Sequence, residues 1–460
     1  MALDFERKGA FDAETAVLVH LSLLSRVNYA SYLNSVPILR ELCIENRSES
    51  PLTDIAVQVE ANPDVLVSRR WLIEKIGPGE RLYIDELDIQ LNAGMLWNLN
   101  EAITADVSFS VSSADRVFAK KHLTIEVLAR NEWAGATVTP ELLSAFVNPN
   151  DPAVEQILKD ASQILHKNGL LPGIDGYQSG TRQRAAQIVG AIWSAVCSRE
   201  LDYSAPPASF ERDGQKIRTP SHIIESGLGT CLDLTLLFAA CIEQAGMNPL
   251  IILQRGHSLV GCWLQSEQFA DVLVDDPASL RNRLGLGEIL LFETTLATHR
   301  PAPAFSAAVD SARKALAEEN DSRFVVAIDI RRARMQRIRP VPAERPDDHD
   351  RETRTETVEQ SWSEIGLDVP RVPDEISLIT ESEILETPES RLERWQRKLL
   401  DLSLRNRLLN FRPGKGAVTI CCPDPDRFED LLAEGHRFDI RPLPETFRSD
   451  DGEARRDREE

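Results

Sequence analysis

The alternation of hydrophobic and polar positions divides the chain into a β-rich first part and a mixed second part. Over residues 13–132, short apolar runs are separated by polar turns. Val107, Phe109 and Val111 alternate with polar neighbours, which is the period of two of a half-buried strand. About seven strands at such spacing predict an all-β, immunoglobulin-like sandwich. The runs that define these strands are 16–25, 38–45, 55–60, 81–91, 105–111 and 123–129.

Over residues 140–340 the apolar positions change to helical spacing, interrupted by short apolar strands, and this predicts an α+β domain. We expect Trp193 in its core, and the helix that opens after Thr230 is apolar nearly all round, which predicts that it is buried. A Pro-rich connection, Tyr203 to Phe210, is expected to line a cleft. The predicted helices cover 152–166, 181–198, 231–245 and 305–319, and the predicted strands 249–253, 257–264, 289–295 and 324–330.

Beyond residue 340 this apolar pattern is lost. Residues 341–388 are rich in Pro, Glu, Asp and Arg, so they cannot bury enough surface to offset their ordering entropy, and we expect a disordered linker. Residues 389–445 regain leucines at helical spacing and predict the start of a helical module that needs a partner surface. Residues 446–460 are a charged tail.

The most informative polar residues stand at the start of the buried helix. Thr230 and Asp233 have the spacing of a capping box, in which each side chain accepts a hydrogen bond from the other residue's backbone amide. Cys231 is then the first helical residue, where unpaired amides and the helix dipole favour a thiolate over a thiol. The alternative is that Cys231 is a small apolar residue in a packed helix.

A histidine and a carboxylate follow on the next predicted strands. His257 begins a strand after the turn Arg255-Gly256, and Glu293 ends the third apolar run. An imidazole within reach of Cys231 would act as base and then as acid, and a carboxylate on its far nitrogen would fix its tautomer. Cys231, His257 and Glu293 are therefore the candidate nucleophile, base and orienting acid. Alternatively, His257 is a hydrogen-bonded core residue.

The order of these three residues, with the phrase Gly-Thr-Cys-Leu-Asp at 229–233, resembles the transglutaminase-like branch of the papain-like cysteine peptidases. The segments 206–210, 214–218 and 256–257 resemble one subgroup, which stands at the N-terminus of large bacterial helicase-nuclease proteins. The resemblance spans residues 140–340 and implies the papain-like fold.

The chain departs from the pattern of that family at the acid. The family commonly has an Asp soon after the His strand, so Asp275 and Asp276 stay open as alternatives to Glu293. The backbone amide of Cys231 would supply one donor to an oxyanion, and Gln215 is a candidate for the second.

A second resemblance is carried by Trp395 to Phe411, which looks like the opening of the family called domain of unknown function 4011. In that family the module usually leads into a superfamily 1 helicase and a Vsr-like nuclease, in proteins linked to anti-phage defence. The resemblance implies a helicase or nuclease partner, in cis or in trans. It also implies that this chain is the N-terminal piece of a longer protein or a split subunit.

Composition restricts the compartment and the partners. The formal net charge is −21 over 460 residues, so the chain should repel nucleic acid, whose binding needs clustered cations. Two basic stretches, 331–339 and 394–412, are interpreted as solvated faces or partner contacts. Seven scattered cysteines, a polar N-terminus and no apolar run of ~18 residues predict a reducing cytoplasm, no membrane span and no structural metal. The lack of a glycine-rich phosphate motif predicts no nucleotide cofactor.

Two functional hypotheses follow. In the first, the protein is a cysteine hydrolase, most simply a peptidase, that forms a thioacyl intermediate on a protein or peptide substrate; transfer of the acyl group to an amine is chemically close. In the second, the same fold is a non-catalytic scaffold or sensor that binds a protein partner and regulates an attached or associated helicase. The two differ in the thiol, because a peptidase needs it exposed and acidic, whereas a scaffold can bury it.

Overall fold

The structure is a computed structural model of the 460-residue chain, and it describes residues 16–114, 116–342 and 367–372. All described residues belong to one compact unit. The described unit is a mixed α/β structure with several sheets, β-rich before residue 134 and mixed after it.

The β-rich part contains nine strands and two short helices over its described residues. They are β1 (Val17–Leu23), β2 (Arg26–Val27), α1 (Tyr29–Leu33), β3 (Leu39–Asn46), β4 (Leu52–Asn62), β5 (Arg69–Ile76), β6 (Arg81–Tyr83), α2 (Ala93–Asn98), β7 (Ile103–Ser113), β8 (Arg116–Val127) and β9 (Glu132–Trp133).

Eight of these nine strands form two sheets, and β9 pairs with a strand of the mixed part. One has the order β1-β3-β6 and the other β2-β8-β7-β4-β5. The expected alternation is present in β7, where Val107, Phe109 and Val111 are fully buried, because successive side chains of a strand point to opposite faces. The predicted strand over 81–91 is wrong beyond Tyr83, and β5 and α2 were not predicted.

The mixed part follows from residue 140. Its elements are a 3₁₀ helix (Pro140–Phe146), α3 (Pro152–Lys167), α4 (Arg182–Cys197), β10 (Asp202–Tyr203), α5 (Phe210–Asp213), β11 (Gln215–Lys216), α6 (Pro220–Ser226), β12 (Leu228–Gly229), α7 (Cys231–Gln244), β13 (Pro249–Gln254), β14 (His257–Trp263), β15 (Leu273–Val274), α8 (Pro277–Gly285), β16 (Ile289–Phe292), a 3₁₀ helix (Thr295–Thr298), α9 (Phe305–Ala315), a 3₁₀ helix (Glu318–Arg323), β17 (Phe324–Asp329) and α10 (Ile330–Met335).

One antiparallel sheet of five strands, in the order β15-β17-β13-β14-β16, forms the centre of the mixed part. The buried helix α7 packs on β13 and β14, and α9 packs on β16. The helices predicted over 152–166, 181–198 and 231–245 and the strands predicted over 249–253, 257–264 and 324–330 are confirmed to within two residues at each end.

Aromatic rings fill the space between α4, α7, α9 and β16. Trp193 stacks on Phe238 with centroids 5.7 Å apart and meets Phe292 edge-on at 5.9 Å, and Phe305 closes the cluster. Such offset and edge-on contacts add to the free energy of burial. The expectation that Trp193 lies in the core is confirmed. These contacts fix the position of Phe292 at the end of β16, and Glu293 is the next residue in the chain.

The predicted linker over 341–388, the helical module over 389–445 and the tail over 446–460 lie outside the described residues, apart from 341–342 and 367–372. Among the helices of the described ranges, none has both the length and the apolar character needed to cross a bilayer.

Candidate active site

The first turn of α7 carries the candidate nucleophile. Thr230 is the N-cap: its Oγ1 accepts a hydrogen bond from the Asp233 amide at 3.2 Å, and Asp233 Oδ2 accepts one from the Thr230 amide at 3.0 Å. The predicted capping box is therefore present, and Cys231 is the first residue of the helix. At this position the Cys231 backbone N–H has no carbonyl of its own helix to bond, so it can serve as a donor to a bound oxyanion.

Asp233 also holds the loop in front of the helix. Its Oδ1 accepts a hydrogen bond from the Arg218 amide at 2.9 Å, and its Oδ2 pairs with the Arg218 guanidinium at 2.7 Å. The carboxylate is fully buried and fully used by these partners. Asp233 is thus a capping and anchoring residue, and Arg218 is a supporting residue that the sequence did not single out.

A tight hairpin positions the histidine. Gln254 of β13 pairs with His257 of β14, so Arg255 and Gly256 alone make the turn, and Gly256 adopts φ +70°. A turn with positive φ at its second central residue favours glycine, which adopts this conformation without steric cost. His257 is therefore the first residue of β14, and α7 packs against that strand.

Glu293 follows β16, the strand next to β14. Its Oε2 lies 2.6 Å from Nε2 of His257, and its Oε1 accepts hydrogen bonds from the Thr295 amide at 3.0 Å and the Thr295 hydroxyl at 2.7 Å. Although burial raises the pKa of Glu293, the bonds to His257 and Thr295 outweigh it, and the pKa is lowered. An ionised carboxylate only accepts, so Nε2 carries the proton and Nδ1 is left for the thiol.

The electrostatics of His257 favour an imidazolium. Burial would lower its pKa, but the hydrogen bond with Cys231 and the hydrogen bond and charge of Glu293 raise it to about 9. Glu293 and His257 are hydrogen-bonded to each other, and Cys231 is one of the neighbours that set the pKa of His257, so the three side chains belong to one site. A group between a thiol and a carboxylate in this way can hold a proton and release it to a leaving group.

Tyr203 is a member of the site that sequence reasoning missed. Burial, followed by the interaction with the neighbouring Cys231, raises the pKa of Tyr203 to about 12, which places its hydroxyl near the thiol. The ring itself is 45% exposed, whereas Cys231 is 0% exposed. Tyr203 opens the Pro-rich connection that was expected to line the cleft, and no pattern in the sequence identified its hydroxyl as a partner of the thiol.

Gln215 lies close to the helix cap but its nitrogen is occupied. It is 3% exposed, and its Nε2 donates to Thr230 Oγ1 at 3.0 Å. Its Oε1 is buried and accepts no hydrogen bond from the described residues. The strand that carries it, β11, pairs with β9 of the β-rich part. In this arrangement the Gln215 amide supports the N-cap, and it would have to turn to act as the second oxyanion donor.

Asp275 and Asp276 lie next to the edge strand of the five-stranded sheet that is remote from His257. They follow β15, which pairs with β17, and both β17 and β13 lie between β15 and the strand of His257. Asp275 is exposed, and Asp276 caps α8 by accepting from the Ala278 amide and the Ser279 hydroxyl, each at 3.0 Å. Neither carboxylate is placed to orient His257, because the insertion between β14 and β16 folds as an edge strand and a helix.

Three hydroxyl groups lie together beneath the candidate triad. Thr235 Oγ1 is 3.1 Å from Ser258 Oγ and 3.4 Å from Thr294 Oγ1, and all three residues are fully buried. Thr235 is one helical turn after Cys231, while Ser258 and Thr294 directly follow His257 and Glu293. These contacts join α7, β14 and the end of β16 at the level of the site.

In the part of the chain that the structure describes, no group of three or more His, Cys, Asp or Glu side chains could hold a metal ion. Cys241 and Cys262 are fully buried, and burial raises the pKa of each thiol.

Comparison with known proteins reaches only the C-terminal residues. Residues 398–460 match the family described as "Protein of unknown function (DUF4011)", which agrees with the resemblance noted for Trp395 to Phe411. No transglutaminase-like or helicase family model matches the chain. No curated protein matches it either. The matched residues lie outside the described ranges.

Proposed function

We propose that the described unit is a cysteine hydrolase that acts on a protein or peptide substrate in the cytoplasm, with Cys231 as nucleophile, His257 as acid and base, and Glu293 as orienting acid. The observation that carries the proposal is the hydrogen bond between His257 and Glu293, 2.6 Å long, next to a cysteine that stands at a capped helix N-terminus and contributes to the raised pKa of His257. A merely structural cysteine needs none of these partners.

The proposed fold classes follow from the same placement. A helix that begins with the cysteine packs on an antiparallel sheet whose adjacent strands carry the histidine and the acid. This supports a transglutaminase-like, papain-like assignment for the mixed part. The two sheets of the β-rich part, with β7 in the middle of the larger one, support an immunoglobulin-like sandwich.

The chemical steps require only these residues and water. The Cys231 thiolate attacks a carbonyl carbon, a C–S bond forms, and the negative charge on oxygen is stabilised by the Cys231 amide. Collapse expels the amine, which takes its proton from the His257 imidazolium. His257 then removes a proton from water, the hydroxide attacks the thioester, the C–S bond breaks, and the thiolate is restored. An amine in place of water would give transamidation.

A specific observation favours the second hypothesis, a scaffold that binds a protein partner. The Cys231 side chain has no exposed surface, Tyr203 occupies the space beside it, and the Gln215 nitrogen is bonded to Thr230. Because the thiol has no exposed surface, a substrate carbonyl reaches it only if neighbouring groups move, and Tyr203 is one of these neighbours. The resemblance to domain of unknown function 4011 implies that the protein, whether hydrolase or scaffold, works with a helicase or nuclease module.

The deciding experiment is the alkylation of Cys231 by iodoacetamide, followed by mass spectrometry from pH 5 to pH 10 in the wild type and in His257→Ala. The hydrolase proposal expects labelling that persists well below the ordinary thiol pKa of ~8.5 and is lost in the variant. Cys241 and Cys262 in the same digest are internal references, because both thiols are buried.

A second readout tests acyl transfer itself. With p-nitrophenyl acetate, a nucleophilic Cys231 gains one acetyl group and releases one equivalent of p-nitrophenol in a burst. Labelling of Cys231 that is as slow as that of Cys241 and unchanged in His257→Ala, without an acetyl adduct, would contradict the hydrolase proposal and leave the scaffold.

A further inference from the structure

Residues 367–372, which we call the docking segment, lie against the helical face of the mixed part. Residues 343–366 separate them from the end of the described α/β chain at residue 342. We propose that the face formed by the end of α3, by α4 and by α9 is a peptide-binding site, separate from the cysteine cleft. The docking segment is its resident ligand.

Two backbone amides of the docking segment are held by side chains of the helical face. The Leu367 amide donates to Asn168 Oδ1 at 3.1 Å, and the Val372 amide donates to Gln183 Oε1 at 2.7 Å. Between them, the Ser306 hydroxyl donates to the Asp368 carboxylate. Asn168 caps α3 and Gln183 lies in the first turn of α4, so the segment is bonded at both ends and near its middle.

The apolar side chains of the docking segment face the core. Leu367, Val369 and Val372 are half-buried against the main hydrophobic cluster, whereas Asp368 and Arg371 are exposed. Half-buried apolar residues separated by exposed charged ones are what a peptide presents when it lies along an apolar surface. The site therefore suits an extended peptide with apolar residues at its first, third and sixth positions and an acidic residue at its second.

Gly190 shows that the helix surface is shaped for this contact. It is buried in the middle of α4, where glycine is less favourable than alanine. A methyl group there would stand 2.8 Å from Val369 Cγ2 and 3.3 Å from Phe305 Cδ1. The glycine thus leaves room for Val369 to approach the helix backbone.

The primary test is hydrogen exchange in the full chain, read by mass spectrometry over peptides that contain residues 367–372. Val369→Asp places a charge against the apolar surface of the helical face, and we expect the protection of the docking segment from hydrogen exchange to fall at least tenfold. Arg371→Ser, at an exposed position of the same segment, is the matched control and should keep wild-type protection. Unchanged protection of β13 shows that the fold is intact.

A reciprocal test changes the helix side. Gly190→Ala alone should speed hydrogen exchange in the docking segment, because the new methyl group clashes with Val369. Adding Val369→Ala to the same chain should remove that clash and restore the stability that Gly190→Ala removes. If Gly190→Ala instead leaves the segment protected and raises the melting temperature, as an unhindered Gly-to-Ala change in a helix would, the proposed contact does not exist.

Binding in trans completes the design. A fluorescein-labelled synthetic peptide of residues 365–374 should bind the full chain carrying Leu367→Asp and Val369→Asp, whose own segment is disabled. It should bind at least tenfold more weakly to the wild type, whose site is occupied, and to the double variant with Gly190→Leu added. Equal binding to all three proteins, or no binding to any, overturns the proposal. The cysteine cleft enters none of these readouts, so they are independent of the proposed hydrolase activity.

Discussion

At the scale of single residues, the candidate site is a group of four neighbouring side chains. Glu293 fixes the tautomer of His257, and His257 and Tyr203 both have Cys231 as a neighbour that raises their pKa values. The raised pKa of Tyr203, about 12, keeps its proton on the phenol at neutral pH, so the hydroxyl stays a donor. The buried Cys231 side chain therefore has a histidine paired with a carboxylate and a protonated phenol as neighbours.

Removal of the Tyr203 side chain should expose the nucleophile. In Tyr203→Ala we expect the rate of Cys231 alkylation at pH 7 to rise. In Tyr203→Phe, which keeps the ring and loses a hydrogen bond worth ~1 kcal/mol, the rise should be smaller, about fivefold. The measurement is the second-order rate constant with iodoacetamide. Equal rates in the wild type and Tyr203→Ala would mean that another group shields the thiol.

The titration of His257 should depend on Glu293. The pKa of about 9 stands above the ordinary 6.5, so the histidine stabilises the fold fully below about pH 6.5, and this contribution is lost as pH rises through 9. In Glu293→Gln the carboxylate charge is gone, and we expect the His257 pKa to fall by roughly 1–2 units. NMR of ¹³C-labelled histidine follows the imidazole directly, with His257→Asn to assign the signal. A midpoint that does not move in Glu293→Gln would remove Glu293 from its role.

The sequence predicted some of these residues and missed others for a definite reason. Cys231 and His257 stand next to local signals, a helix cap and a hairpin turn, which depend on neighbours in the chain. Tyr203 and Arg218 act on α7 across distances in the chain that no short pattern records. Glu293 could be named as a carboxylate at a strand end, but only the strand order distinguishes it from Asp275.

At the scale of elements, α7, β14 and β16 are held together by more than apolar packing. The hydroxyls of Thr235, Ser258 and Thr294 meet in a buried cluster, one from each element or its end. Buried hydroxyls without partners cost free energy, so the three elements are stable only in the register that brings the hydroxyls together. That register also sets the distances between the helix cysteine, the strand histidine and the acid.

Replacement of Thr235 tests this role of the cluster. Thr235→Val has nearly the same shape but leaves the Ser258 and Thr294 hydroxyls without this partner, and we expect the free energy of unfolding to fall by about 1–3 kcal/mol. Thr235→Ser keeps the hydroxyl and loses only a methyl group. Cys231 reactivity and the urea midpoint should both change in the Val variant, while the Ser variant should keep wild-type reactivity. Altered reactivity in both variants would assign the effect to packing instead.

The elements that the sequence predicted are those that bury apolar side chains at a regular period. The helices α3, α4 and α7 and the strands β13, β14 and β17 all do so. β5 was missed because it is an edge strand on which only Trp71 and Ile76 are buried, among charged and exposed neighbours. The run after Arg81 has apolar residues without the pairing strand that would make it β-structure beyond Tyr83.

At the scale of the whole described unit, the β-rich and mixed parts share a continuous core and are joined beside the site. β9 pairs with β11, which carries Gln215, and the Arg26 guanidinium donates to the backbone carbonyls of Ala134 and Asp213. Gly214, at φ +86° and ψ 175°, packs so closely on the Trp133 carbonyl that a Cβ atom would lie far inside van der Waals distance.

Gly214 should therefore tolerate no side chain. We expect Gly214→Ala to cost more than the roughly 1–3 kcal/mol of its backbone conformation alone, because the Trp133 carbonyl must also move. Gly227→Ala is the matched control: it has φ +66° and open space around its Cα, so only the cost of a left-handed alanine applies. Differential scanning calorimetry measures the melting temperature of both variants. Equal decreases would show that the contact between Gly214 and the Trp133 carbonyl adds no cost of its own.

The pairing of β9 with β11 has a consequence for how such a chain can be rearranged during evolution. A boundary between residues 132 and 140, where the hydrophobic pattern changes, separates two sequence segments but not two independent modules. A recombination that exchanged the β-rich part at that boundary would need a new strand to replace Glu132 and Trp133 beside Gln215. The β-rich part should therefore be inherited together with the cysteine-bearing part, as one unit of descent.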